Sequence, residues 1–214
     1  MTARSTERDI VPPLATGVRH LVRIAGAIAG ADEGTIRSVM NEAVNEADPQ
    51  AVDEIILQSY LFAGFPRALN AARAWRSISG TPAPERDPEA DAADLGSWRE
   101  RGLRTCEIIY GKSYGPLRRN IRNLHPALDE WMIVDGYGKV LSRPGVDLRT
   151  RELCVVAACA VAGQQRQLHS HLHGALNAGA RLDEVAAVLD SLDDLISREN
   201  LATYHQLLRK VATQ

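Results

Sequence analysis

The sequence predicts an all-α protein. Apolar residues recur at helical spacing along most of its length, aromatics make up only 5% of the residues, and alanine is abundant. That composition suits close-packed helices and not a β-sandwich. The 214 residues could form one large or two small domains, and either could bury a core. Formal net charge is only -2, with Lys and Arg scattered, so no nucleic-acid groove and no anionic membrane partner is expected. No apolar run has the length of a membrane span, and the opening MTARSTERDI lacks the apolar centre of a signal peptide, so a cytoplasmic protein is expected. The three cysteines, Cys106, Cys154 and Cys159, form no CxxC pair and are expected as small buried hydrophobes in a reducing compartment.

Taken in order, residues 1–13 read as a disordered lead-in ending at Pro12-Pro13. Helical spacing through Val18, Leu21, Val22 and Ala25 predicts a helix over residues 14–30. Asp32 is an N-cap candidate before a helix at 36–47, and Asp48-Pro49 ends that helix and opens the next. This third helix, 51–62, is interrupted by Gly64-Phe65-Pro66, and a fourth follows over 67–77. Residues 80–94, with three prolines, a run of acidic side chains and no large apolar one, read as an exposed linker. Helix resumes over 95–109, continues after a turn at Tyr110-Gly111 through 117–124, and again over 126–134. The glycine-rich segment 136–148 is expected as a loop, and 183–211 as a bent or paired helix. The domain plan is therefore the lead-in 1–13, an N-terminal unit 14–79, the linker 80–94 and a C-terminal unit 95–214 carrying the site.

The stretch 150–189 is where chemistry concentrates. It reads as two antiparallel helices hinged near Gly163, with a third beginning after Gly179. Glu152 lies eleven residues before Gly163 and His171 eight after it. Those offsets differ by about 5 Å along a hairpin, so the two side chains can meet between the helices. A carboxylate facing an imidazole in an apolar helix pair is a plausible acid/base site. Two plainer readings compete: Glu152 pairing with Arg149 or Arg151 at the helix start, and His171 as a satisfied packing residue. His169 and His173, four apart on one face, have metal-ligand spacing, but no third ligand is evident and no metal is expected. The Arg118, Arg119 and Arg122 cluster reads as a solvated face.

The two halves also show a weak internal repeat. Asp53-Glu54-Ile55 and Asp183-Glu184-Val185 are 130 residues apart, and Asn70 and Asn200 keep that offset. The first half has no counterpart of the Glu152/His171 pair, since residues 16–30 contain no acid and 36–47 no histidine.

Three motifs, SRPGVDLRTREL (142–153), HSHLHGALNAGARLDEV (169–185) and LQSYLFAGFPRALNA (57–71), resemble the carboxymuconolactone decarboxylase family, which also holds the alkylhydroperoxidase D-like proteins. In a single-domain member the last motif follows the second. Here it lies in the first half, so the resemblance implies an alkylhydroperoxidase D-like helical bundle of two pseudo-repeats. The peroxidase branch carries a Glu, a Cys twelve residues on, a Cys three further and a His four beyond. Counting from Glu152 gives Gln164, Gln167 and His171, so both cysteines are replaced. Without an attacking and a resolving thiol, disulfide-dependent peroxide reduction is not expected.

The resemblance then implies a lyase of the lactone-decarboxylase type, or an isomerase, working by acid/base chemistry on a small lactone or carboxylate without a cofactor. His171 is the expected proton donor or shuttle, and Glu152 its orienting partner or the base of an isomerising step. Gln164 and Gln167 are expected to bind substrate oxygens at the start of the second helix. Phe62 and Phe65 are expected as an apolar wall, with Trp131 and Tyr137 as further lining residues. The alternative is a non-catalytic binding or scaffold member. A homo-oligomer, whether dimer, trimer or hexamer, is expected from the apolar faces of short Ala-rich helix pairs and from the family's ring-like assemblies.

Overall fold

Helix α1, Thr16–Gly30, starts a chain that is helical throughout its ordered elements. The structure is a computed structural model and describes residues 14–91 and 94–213; the lead-in expected over 1–13 lies outside the described residues. No strand occurs among the described residues. Asp32 accepts from the Thr35 amide at 2.8 Å and so caps α2, Glu33–Ala43. Asp48 accepts from the Gln50 amide ahead of α3, Pro49–Ser79, where Pro49 occupies the first turn. Gly64 breaks α3 with a φ of 80°, and Pro66 has no N–H to continue the ladder. The two helices expected at 51–62 and 67–77 are therefore the two arms of one kinked element.

The acidic segment is less detached than its composition suggests. It contains a short helix, α4, Pro88–Asp91, and ion pairs tie it to the body. Asp87 meets Arg143 at 3.0 Å and Glu89 meets Arg101 at 2.7 Å. Helix α5, Leu95–Tyr110, follows under an Asp94 cap, and then α6, Tyr114–Leu124, and α7, Pro126–Trp131.

One expectation fails here. The glycine-rich segment expected as a loop from 136 is wound as a π-helix over Met132–Leu141, and irregular chain begins only at Ser142. The reason is close packing on α5. A Cβ on Gly138 would collide with the Trp98 carbonyl oxygen, and one on Gly102 with that of Ile133. The glycines that look like loop signals are there for backbone contact between two helices. Wide π turns of this kind re-aim side chains and recur at functional sites. Tyr137 is the side chain re-aimed inward.

The centre of the molecule is α8, Leu148–Val161, with every residue from Thr150 to Ala160 buried. It packs on α1, where Gly26 and Gly30 allow Val161 to approach closely, and on α9, Gln165–Asn177. Gly163, at φ 68°, turns the chain between α8 and α9. Helices α10, Leu182–Asp190, and α11, Arg198–Val211, close the C-terminal half. The apolar core is continuous from Leu14 to Val211, so both halves share it.

Buried charge stitches the same elements together. Arg151, fully buried, donates to Glu54 of α3 at 2.7 Å and to the carbonyls of Arg143 and Pro144. Arg143 adds a second bond to Glu54 at 2.8 Å. Arg23 of α1 grips Asp194 with two bonds of 2.8 Å and donates to the Ser191 carbonyl. With so many donors directed at each acid, these buried charges are compensated.

Candidate active site

Glu152 and His171 face each other across the α8–α9 hairpin, with 2.8 Å between Glu152 Oε2 and His171 Nδ1. Asp147 caps α8 by accepting from the Thr150 amide and hydroxyl, and so sets the rotation that turns Glu152 inward. Neither neighbouring arginine takes the carboxylate: Arg151 is committed to Glu54, and Arg149 reaches Glu184 at 2.8 Å. Glu152 is fully buried, and His171 keeps only 7% of its side chain exposed.

Gly174 makes the approach possible. It lies one turn beyond His171 on the same face of α9, and a Cβ there would stand 2.5 Å from Glu152 Oε2 and 2.7 Å from Ile109 Cγ2. Another turn on, Asn177 donates to the Ile109 carbonyl at 2.7 Å and pins the end of α5 against α9. That contact places Tyr110 beside the pair, its ring 6.4 Å from the His171 ring. The Tyr137 hydroxyl donates to that of Tyr110 at 3.0 Å, and the two rings meet edge to face. Phe62, from the arm of α3 just before the Gly64 kink, meets His171 edge to face at 6.0 Å.

The electrostatics follow from burial. Both phenols are pushed far above their ordinary value, chiefly by burial and further by the Glu152 charge. They are therefore neutral hydrogen-bond donors at physiological pH. Burial also pushes the Cys106 and Cys159 thiols up to about 12, and Cys154 higher still. Thiols held in that state are poor nucleophiles. One polar atom of the site stays unpaired: Glu152 Oε1 is buried with no hydrogen-bond partner. An unmatched buried carboxylate oxygen is costly, and it would be satisfied by a donor brought in by a bound molecule.

The remaining candidates separate into two groups. Glu152, His171, Phe62 and Tyr137 come together. Gln164 and Gln167 lie exposed at the start of α9, because the turn at Gly163 leaves the first turn of the helix outside the bundle. Phe65 is 62% exposed and packs on Tyr60, since the kink at Gly64 rotates it away from Phe62. Trp131 is 60% exposed at the end of α7. His169 and His173 stack edge to face, 5.0 Å apart, and no cluster of three or more His, Cys, Asp or Glu among the described residues is arranged to hold a metal. Arg118 and Arg122, expected on a solvated face, converge instead on buried Asp129. A groove of about 580 Å³ runs between α9 and α11 and is lined by residues that include His169 and Tyr204 but neither Glu152 nor His171.

Tyr110 is the site residue that sequence reasoning missed. The Tyr110-Gly111 pair reads as a turn, and it is one, but the tyrosine closing α5 points into the bundle. A polar aromatic on the last turn of an otherwise apolar helix face was the available signal.

The sequence model of the carboxymuconolactone decarboxylase family matches residues 130–196, a span holding Tyr137, α8, α9 and the Glu152–His171 pair. Through this segment the chain is similar to that family. It is also similar to Peroxisomal protein 2 of Schizosaccharomyces pombe, 32% identical over 133 residues, which cover 62% of this chain and 62% of that protein. No helix among the described residues is long and apolar enough to cross a membrane.

Proposed function

We propose that the chain is an acid/base lyase or isomerase acting on a small lactone or carboxylate, with His171 and Glu152 at its centre. The observation that carries this is the buried 2.8 Å contact between Nδ1 and Oε2. The carboxylate holds the ring through Nδ1 and leaves Nε2 for the substrate. In a decarboxylation the bond to the departing carboxylate breaks, carbon dioxide leaves, and the electron pair moves into the conjugated carbonyl. Nε2–H of the imidazolium then protonates carbon, while Glu152 compensates the ring's charge. In an isomerisation the same pair removes and returns a proton. Thiol peroxidase chemistry has no support here, since all three thiols are buried and raised in pKa.

A screen of lactones and β-keto acids for carbon dioxide release or isomer formation tests the proposal. Turnover that falls about 10²-fold or more in His171→Asn, with the fold intact, supports it; equal turnover in that variant overturns it. One observation favours a non-catalytic binding member as the second reading. The cavity that Phe62 lines is only about 10 Å³ and its lining includes neither Glu152 nor His171, while the groove of about 580 Å³ lies apart from both.

We also infer that the chain is a tandem of two related helical units. Helices α1, α2 and the two arms of α3 follow the order of α8, α9, α10 and α11. Arg23 of α1 also reaches the α10–α11 connection while Arg151 of α8 reaches α3. Exposed Leu57, Phe65 and Leu69, spaced along α3, support a homo-oligomer, which sedimentation tests directly. The compartment is the cytoplasm by the sequence argument, or the peroxisome by the relative's name, and imaging a tagged chain separates the two.

A further inference from the structure

We propose that Tyr110 is a second catalytic group of this site: its hydroxyl, backed by Tyr137, donates to the oxygen on which negative charge develops. The inference rests on the acid/base reading above and takes over the role that sequence reasoning assigned to Gln164 and Gln167, which lie exposed at the rim of α9.

The geometry divides the labour. Tyr137, buried on the π-helix, spends its own proton on the Tyr110 oxygen. Tyr110 accepts that bond, so its O–H is left to donate elsewhere, and no acceptor for it is found among the described residues. Its ring leans on the His171 ring, which places the last turn of α5 beside the Glu152–His171 pair. A phenol that already accepts one hydrogen bond is a stronger donor of the next. Glu152 nearby discourages either phenol from ionising, so the pair serves as a neutral donor and not as a base. A neutral donor in a water-poor site stabilises a nascent oxyanion without bringing a counter-charge of its own. His171 is then free to deliver the proton to carbon, and two different groups act on the two atoms that change.

The chain also anchors this donor firmly. Asn177 fixes the last turn of α5 through the Ile109 carbonyl, and the Gly102 and Gly138 contacts lock α5 to the π-helix. A donor held this way needs little reorganisation when charge appears.

The test uses 4-nitrophenol, whose yellow phenolate is a spectroscopic stand-in for the oxyanion and requires no turnover. It is titrated into wild type and into Phe62→Ala, which opens the wall over His171. The expected result is saturable binding to at least one of these, with the bound phenol more ionised than free phenol at the same pH. In the same background, Tyr110→Phe should weaken binding about 10-fold or more. Tyr137→Phe should keep most of the binding but lower the ionised fraction, a change that loss of packing alone does not produce. Trp131→Phe, on the surface, should match its parent. Wild-type protein labelled at tyrosine ¹³Cζ serves as the folding-independent check, since the Tyr110 resonance should move on addition of the probe. No binding in either background, or equal binding and ionisation with Tyr110→Phe, overturns the proposal. Binding with these signatures but no carbon dioxide release or isomer formation from any screened substrate sinks the lyase reading and leaves the oxyanion donor standing.

Discussion

Gly174→Ala is the sharpest perturbation of the site, because it adds one methyl group between Glu152 and α9. The new Cβ would lie 2.5 Å from Glu152 Oε2 and 2.7 Å from Ile109 Cγ2, both inside van der Waals contact. Glu152 is fully buried and bound to His171, so its carboxylate has no solvent to swing into. Overpacking a tight interior costs about 1–3 kcal/mol. Loosening a charged hydrogen bond costs about 1.5–3 kcal/mol more. Alanine's better helix propensity returns about 1 kcal/mol. The net expectation is a loss of about 2–5 kcal/mol, a fall in Tm of about 4–20 °C at this chain length. Thermal and urea unfolding measure the loss, and the His171 ring nitrogen resonances should move with it, because the ring loses its fixed carboxylate partner. Unchanged stability together with unchanged His171 resonances would refute the packing of Gly174 on Glu152.

Two further outcomes follow from other parts of the molecule. A thiol reagent at pH 8 should label Cys106, Cys154 and Cys159 only as fast as the protein unfolds, since burial raises each thiol well above that pH; prompt labelling of the native protein would contradict it. Asp129, buried between Arg118 and Arg122, has its carboxyl held below the usual range, first by the Arg118 hydrogen bond. A lowered folded-state pKa means its stabilisation is complete above the unfolded value of about 4 and is lost as pH falls through the folded one. Asp129→Ala should therefore cost about 3 kcal/mol at neutral pH, with the difference from wild type shrinking in acid, as urea unfolding across pH will report.

Much of this protein is written locally. Helix periodicity, the caps at Asp32 and Asp48 and the break at Gly64–Pro66 depend on neighbours a few residues away, so the all-α architecture and most helix boundaries were legible from the chain. The meeting of Glu152 with His171 was legible for the same reason: a tight hairpin at Gly163 converts residue counts into distances. What only tertiary packing decided is everything that depends on contacts between distant segments. Arg151 turned to Glu54, 97 residues away, and so left Glu152 to the histidine. Tyr110 and Tyr137 met because glycines let α5 and a π-helix touch backbone to backbone, and glycine in a sequence does not say whether it bends a loop or admits a neighbour. The same limit placed Phe65, Trp131, Gln164 and Gln167 on the surface: periodicity assigns a residue to a helix face, but only the neighbours that pack on that face decide whether it is inside.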